Sequence, residues 1–380
     1  MTVLAQIADT ATNPTLGVLI FALGGLACAV FYLPFKKVKN WAWESYWFVY
    51  ALAGLVVVPW ALALTMSPNV VSVLSASPAK VLTYCLLCGA MWGVGGLTWG
   101  LMLRYLGVGL GLAIGGGLCA ATGTLIPPIL KPVLERFVNS EAASLSLSQT
   151  LQKGVASLYG SPSANVSLLA VAMALVGIAL VGGAGMSKER ELPEEQKKKA
   201  VAEFNFKRGM LLGIFSGIMS AGMSLGLQGG GAIEHLALTT APVTSDTWRG
   251  MPVLVVVLFG GFLVNGLWCL FLNSKNKTLG DYVKPETPLI ANVLFAGLAG
   301  AIWCSQFICF KTGEPRMGPM SYIGWSVLFA SAILFGTLLG LFLGEWRNTS
   351  SRTRLLLIFG LILLVGSTIV SGYSGSLLKS

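Results

Sequence analysis

Thr15-Leu-Gly-Val-Leu-Ile-Phe-Ala-Leu-Gly-Gly-Leu-Ala-Cys-Ala-Val-Phe-Tyr-Leu-Pro-Phe35 runs for 21 residues without a charged side chain. That is enough helix to cross a bilayer, whose hydrocarbon core of about 30 Å takes about 20 mostly apolar residues. Nine more stretches of the same character follow, near 42–66, 80–103, 106–130, 165–185, 208–228, 250–272, 288–310, 321–344 and 353–373. Composition agrees: 55% of the residues are hydrophobic and only 11% are charged, against about 25% charged in soluble domains. In lipid every backbone N–H and C=O must be satisfied within the chain, so only helices and closed barrels span. These runs lack the two-residue alternation of barrel strands. The expected fold is all-α and integral to a membrane, with ten transmembrane helices. The first run has no basic leader or small-residue cleavage site and is followed by Lys36 and Lys37, so it reads as a retained span.

The basic residues fall on alternate loops. Lys36, Lys37 and Lys39, then Arg104, then Lys188, Arg190, Lys197, Lys198, Lys199, Lys207 and Arg208, then Lys275, Lys277 and Lys284, and finally Arg347, Arg352 and Arg354 make 17 of the 25 Lys and Arg residues. The positive-inside rule puts these odd-numbered loops in the cytoplasm, which leaves both termini outside. The net charge of +10 then reflects this asymmetry and the anionic inner leaflet, and gives no cause to expect a nucleic-acid partner. The segment 186–207, with Met186-Ser-Lys-Glu-Arg-Glu-Leu-Pro-Glu-Glu-Gln-Lys-Lys-Lys at its head, mixes both charge signs without an apolar period and reads as a solvated cytoplasmic linker. It separates a first five-helix repeat (1–185) from a second (208–380). Gly17, Gly25 and Ala29 match Gly209, Gly217 and Ala221 at a constant offset, and Gly89-Ala-Met-Trp92 matches Gly300-Ala-Ile-Trp303. An odd number of spans per half inverts the second copy, the construction of many secondary transporters, whose substrate sits near the midplane between the halves.

The glycine run from Gly107 to Gly117 lacks the strand and later acidic residue of a dinucleotide-binding loop, and reads instead as small-residue contacts between helices. Pro127-Pro128 should stop or bend the fourth helix. All seven cysteines, Cys28, Cys85, Cys88, Cys119, Cys269, Cys304 and Cys309, lie inside expected spans and read as packing thiols rather than metal ligands or a redox pair. No nucleophile–base set, phosphate loop or cofactor motif is present, so neither an enzyme nor an ATP-driven pump is expected, and neither a metal nor a cofactor.

Several blocks carry a family resemblance. Phe31-Tyr-Leu-Pro-Phe-Lys-Lys-Val-Lys-Asn-Trp-Ala-Trp-Glu44, Gly89-Ala-Met-Trp-Gly-Val-Gly95, Arg104-Tyr-Leu-Gly107, Glu203-Phe-Asn-Phe-Lys-Arg-Gly209 running on to Ser220-Ala-Gly-Met-Ser224, and Gly344-Glu-Trp346 resemble the bacterial L-rhamnose–proton symporters of the drug/metabolite transporter superfamily. The resemblance covers nearly the whole chain. It implies ten helices and symport of L-rhamnose with a proton across a bacterial inner (plasma) membrane. The chain departs from the family's pattern in the stretch Gly95–Trp99, at Gln228 and just before Tyr322, where amides and a carboxylate would be expected. This keeps another sugar or small metabolite, carried by a facilitator or with sodium, open as an alternative. A non-transporting membrane sensor is a further rival.

Polar and amphipathic side chains inside spans face the bundle or a wet cavity. On that ground Tyr32, Trp92, Thr98, Trp99, Gln228, Trp303, Gln306, Tyr322 and Trp325 are the candidate substrate-binding residues, whereas Trp41, Trp43, Trp60 and Trp346 read as interfacial belt residues. Few ionisable groups stand inside the predicted spans. Glu44, Glu234 and His235 are the candidates for proton coupling, against a plain role for Glu44 as an exposed partner of Lys36, Lys37 or Lys39 and a plain loop role for the other two.

Overall fold

A computed structural model describes residues 13–106, 115–126, 129–130, 133, 146–156, 158–191, 205–342, 346 and 349–376. Among the described residues the regular structure is all helical, and nine helices are long and apolar enough to cross a membrane. The main helices are α1 (Pro14–Val30), α2 (Trp43–Met66), α3 (Ala79–Leu106), α4 (Gly115–Ile126), α5 (Pro162–Glu191), α6 (Phe206–Gly229), α7 (Met251–Lys275), α8 (Leu289–Met317), α9 (Gly324–Phe342) and α10 (Ser351–Ser376). α4 is a shorter apolar helix; the first part of the predicted fourth span, with most of the glycine run, and Pro127-Pro128 lie outside the described residues. Outward faces carry exposed Leu87, Leu267 and Ile290, the surface expected of helices bathed in lipid.

Two boundaries differ from the sequence reading. α5 continues through Glu191 and takes up the first six residues of the predicted linker. Lys188 and Arg190 suit a helix C-terminus, and the Glu191 carboxylate accepts hydrogen bonds from Ser350 N (2.7 Å), Ser350 Oγ (2.6 Å) and Thr353 Oγ1 (2.6 Å), tying the end of α5 to the start of α10. α8 runs on to Met317 despite Pro315, about two turns past the predicted end at 310. A proline near a helix end removes one backbone bond but need not end the helix.

Close packing is carried by glycines. A methyl group at Gly89 of α3 would lie 1.9 Å from the Val257 carbonyl oxygen of α7, and one at Gly300 of α8 would lie 2.4 Å from the Tyr50 carbonyl oxygen of α2. Gly17 of α1 abuts Met317 and Gly313 of α8, and Gly25 abuts Leu328 and Ser331 of α9; Gly209 of α6 abuts Leu106 and Tyr105 of α3, and Gly217 abuts Leu118 of α4. So α1 packs on α8 and α9 as α6 packs on α3 and α4. Both α1 and α6 begin with an asparagine cap: Asn13 Oδ1 accepts from Leu16 N at 3.1 Å and Asn205 Oδ1 from Arg208 N at 3.0 Å, each satisfying an amide left over at a helix start.

The loop before α2 is pinned to the α7–α8 connection. Asp281, buried, accepts from the Ala42 backbone N–H (2.8 Å), Ser45 Oγ (2.8 Å) and Lys284 Nζ (2.9 Å), while its carbonyl accepts from Trp41 Nε1 (2.8 Å). Trp41 is thus a buried anchor, correcting its belt reading. Glu44 is buried too, its Oε1 accepting from Asn276 Nδ2 (2.9 Å) and Thr278 Oγ1 (3.0 Å), so it is not an exposed partner of the loop lysines. Burial by itself would raise the Asp281 pKa, but the hydrogen bonds from Ala42, Lys284 and Ser45 and the Lys284 charge outweigh it and hold the carboxyl below the ordinary aspartate value. A depressed folded-state pKa gives stability that is complete above the unfolded value and is lost as pH falls through the folded one. Asp281→Ala should therefore cost about 2–3 kcal/mol at neutral pH, and the gap to the parent protein should close below about pH 4; thermal unfolding in detergent across pH checks both.

Candidate functional site

Phe307 of α8, buried, is the centre of an aromatic cluster drawn from several helices. Trp92 of α3 meets it edge-on at 5.3 Å between centroids, Trp303 meets it edge-on at 5.9 Å, and Trp325 of α9 lies at 6.3 Å. Trp325 stacks on Phe310 at 4.3 Å, and Trp303 contacts Phe31 at 4.3 Å. Gly261 of α7 makes room for Trp92, since a methyl group there would lie 2.5 Å from its ring. Residues 303, 307, 310 and 314 recur at helical spacing, which puts their side chains on one face of α8.

Polar groups border this cluster. Ser224 of α6 donates to the Gly123 carbonyl of α4 at 2.8 Å and accepts from Gln228 Nε2 at 3.1 Å. A methyl group at Gly123 would touch Trp325 at 3.4 Å, so Gln228, Ser224, Gly123 and Trp325 form one wall. Trp325 Nε1 and Thr124 Oγ1 are buried and have no hydrogen-bond partner among the described residues. Such donors are costly to leave unpaired, and a bound polar molecule would relieve them.

The remaining candidates make other contacts where they are described. The Thr98 hydroxyl donates within its own helix, to Val94 O (3.1 Å) and Gly95 O (3.0 Å). Trp99, two turns along α3 from Trp92, packs toward Gly115 of α4. Gln306 is buried, with Nε2 donating to Trp303 O at 3.1 Å. Tyr32 is 54% exposed, and its ring lies 4.1 Å from that of Phe31, which in turn contacts Trp303. The Tyr322 side chain is outside the described residues.

The charged groups bring the main surprise. Glu234, on the short helix Gly231–Thr239, accepts from Lys311 Nζ at 2.5 Å and pairs with Arg249 at 3.4 Å. Lys311, 2% exposed, also pairs with Glu314, and Arg249 pairs with Asp246 at 2.5 Å. Glu234 is therefore part of a partly buried ion network around Lys311 rather than a plain loop residue, whereas His235 is exposed. Sequence reading missed Lys311 and Glu314 because it ended the eighth helix at 310. The helical spacing from Trp303 through Phe310 to Glu314 was the signal that could have extended it.

The described residues form a helical, multi-pass membrane protein enclosing an aromatic cluster edged by amide, indole and hydroxyl groups, an arrangement that suits a transporter. The chain belongs to the L-rhamnose-proton symport protein family, whose family model matches residues 11–156 and 145–375. It is similar to the L-rhamnose-proton symporters of Escherichia coli (strain SMS-3-5 / SECEC) and Shigella flexneri, with 30% identity over 362 residues in each case, covering 94% of this chain and 97% of each relative.

Proposed function

We propose that this protein imports L-rhamnose together with a proton across the bacterial inner membrane, through ten helices arranged as two inverted five-helix halves, with both termini outside. The convergence of Trp92 and Trp303 on Phe307 carries this reading, because the two tryptophans occupy equivalent places in the halves. The exchanged packing supports it further: α1 on α8 and α9 mirrors α6 on α3 and α4, and α3 on α7 mirrors α8 on α2. The asparagine caps of α1 and α6 stand at the same offset as the repeated glycines. A site on such an axis can be uncovered to either side in turn by rocking one half against the other.

A sugar presents apolar C–H faces to aromatic rings and hydroxyls that must be re-paired when they leave water. Trp92, Trp303 and Phe307 supply the rings; Trp325 Nε1, Gln228 and the Thr124 hydroxyl supply the polar contacts. Trp325→Phe keeps an aromatic ring in place and removes a donor that has no partner among the described residues. The variant should fold at least as stably as the parent while its half-saturating sugar concentration rises about 5–10-fold, the value of one hydrogen bond of about 1–1.4 kcal/mol. Thermal unfolding and concentration-dependent uptake in proteoliposomes check the two halves of that expectation.

The deciding experiment is uptake of labelled L-rhamnose into proteoliposomes, with and without an imposed inward proton gradient and with competing unlabelled sugars. Accumulation that needs the gradient and is blocked by excess L-rhamnose is expected. No uptake under either condition would reject the assignment of solute, and uptake indifferent to the gradient would reject the coupling.

A further inference from the structure

One lysine is enclosed among the helices and shared by two carboxylates. Lys311 is 2% exposed, and its ammonium contacts both Glu234, on the short helix after α6, and Glu314, one turn along α8. The fold makes room for it: a methyl group at Gly250 would lie 2.2 Å from Lys311 Cε. The facing charged and titratable groups are Arg249, which divides itself between Glu234 (3.4 Å) and Asp246 (2.5 Å), Arg316, whose guanidinium donates to Thr247 Oγ1 at 3.5 Å, and Cys85 of α3, within electrostatic reach of Lys311 and Glu234. Ionisable groups in a membrane protein's interior are costly and are kept where they act.

We infer that Glu314 carries the co-transported proton, and that Lys311 is the counter-charge that releases and recaptures its carboxylate. With Glu314 ionised, Lys311 holds both carboxylates. When a hydronium ion from the water beside the part-exposed Arg249 gives its proton to Glu314, the charge-assisted bond from Lys311 is lost, and the ammonium remains on Glu234 alone. The neutral carboxyl returns that proton to water once the opposite side is open, and Lys311 takes the carboxylate back. Glu314 shares one face of α8 with Trp303, Phe307 and Phe310. The same rigid helix therefore senses protonation at one end and the aromatic cluster along its length, which gives the two events a common moving part. Lys311 and Glu234 act as positioning residues.

This inference rests on the proposed proton-coupled uptake, and the test separates the two. In proteoliposomes, an inward gradient of about one pH unit supports about tenfold accumulation by a one-proton symporter. Glu314→Gln should lower that ratio to about one, while gradient-free exchange of labelled for unlabelled L-rhamnose continues and loses its dependence on pH. If the parent protein itself ignores the gradient, the coupling reading fails before this one is reached. A Glu314→Gln protein that still accumulates sugar as the parent does overturns the assignment. Should that variant fail to give a monodisperse protein, the double variant Lys311→Met with Glu314→Gln, which leaves Glu234 on Arg249, serves in its place. A measurement on the unaltered protein adds an independent check: dicyclohexylcarbodiimide attacks protonated, buried carboxyls, and mass spectrometry should find the adduct on Glu314, less of it at alkaline pH. An adduct confined to Glu44 or Glu234 would count against the proposal.

Discussion

Lys311→Met is expected to destabilise the protein by about 3–5 kcal/mol, the usual cost of removing one partner from a buried ion pair. The loss of a contact is the smaller part. Glu234 and Glu314 would be left facing each other without the ammonium that both contact, and Arg249 already divides itself with Asp246. Replacing Glu314 by glutamine as well removes the surplus charge, so Lys311→Met with Glu314→Gln should recover more than half of the loss. Thermal unfolding in detergent, read by tryptophan fluorescence, compares the two. A Lys311→Met protein as stable as its parent would mean that the ion network contributes nothing to holding α8 to the short helix Gly231–Thr239.

Gly89→Ala should come at or above the upper end of overpacking penalties, about 3 kcal/mol, and the protein should no longer elute as a single species in detergent. Its added methyl would meet backbone, at 1.9 Å from the Val257 carbonyl oxygen, and Gly260 of α7 returns the contact at 2.1 Å from Leu86 O. Backbone cannot rotate aside as a side chain can, so α3 and α7 would have to separate. Gly96, about two turns further along α3, has nothing among the described residues within 4 Å of an added methyl; Gly96→Ala should be neutral or stabilise by up to about 1 kcal/mol through helix propensity alone. That contrast between two glycines of one helix isolates close approach as the cause.

Much of this was legible in the residues. The runs around Thr15–Phe35 and its successors carry their meaning in length and polarity, because lipid demands helices of that length whatever they pack against. The paired Gly17/Gly209, Gly25/Gly217 and Gly89/Gly300 were visible as offsets, and the pairing of Trp92 with Trp303 followed from the same alignment. The candidate site was legible only in part. Trp92, Trp303, Trp325 and Gln228 lie together, but Thr98 spends its hydroxyl on its own helix and Tyr32 is largely exposed, with its ring against Phe31. Phe307, Ser224 and Gly123 went unnoticed because a phenylalanine, a serine or a glycine in an apolar run looks like its neighbours until something is packed on it.

By itself, then, the sequence determined that this chain is a helical membrane protein and pointed by resemblance to the symporters, since hydrophobic length and signature blocks are local properties of the string. Which polar groups are buried, and with what, was decided by the tertiary structure alone. Glu44 looked like a neighbour of loop lysines and is held by Asn276 and Thr278; Trp41 looked interfacial and donates to Asp281; Lys311 lay just past the predicted end of the eighth span and is enclosed by Glu234 and Glu314. The partners of Glu44 and Trp41, and Glu234 as a partner of Lys311, lie far along the chain. The cost of an unpaired charge or donor in a low-dielectric interior depends on who arrives beside it, and that is set by how the helices pack, not by the residues on either side.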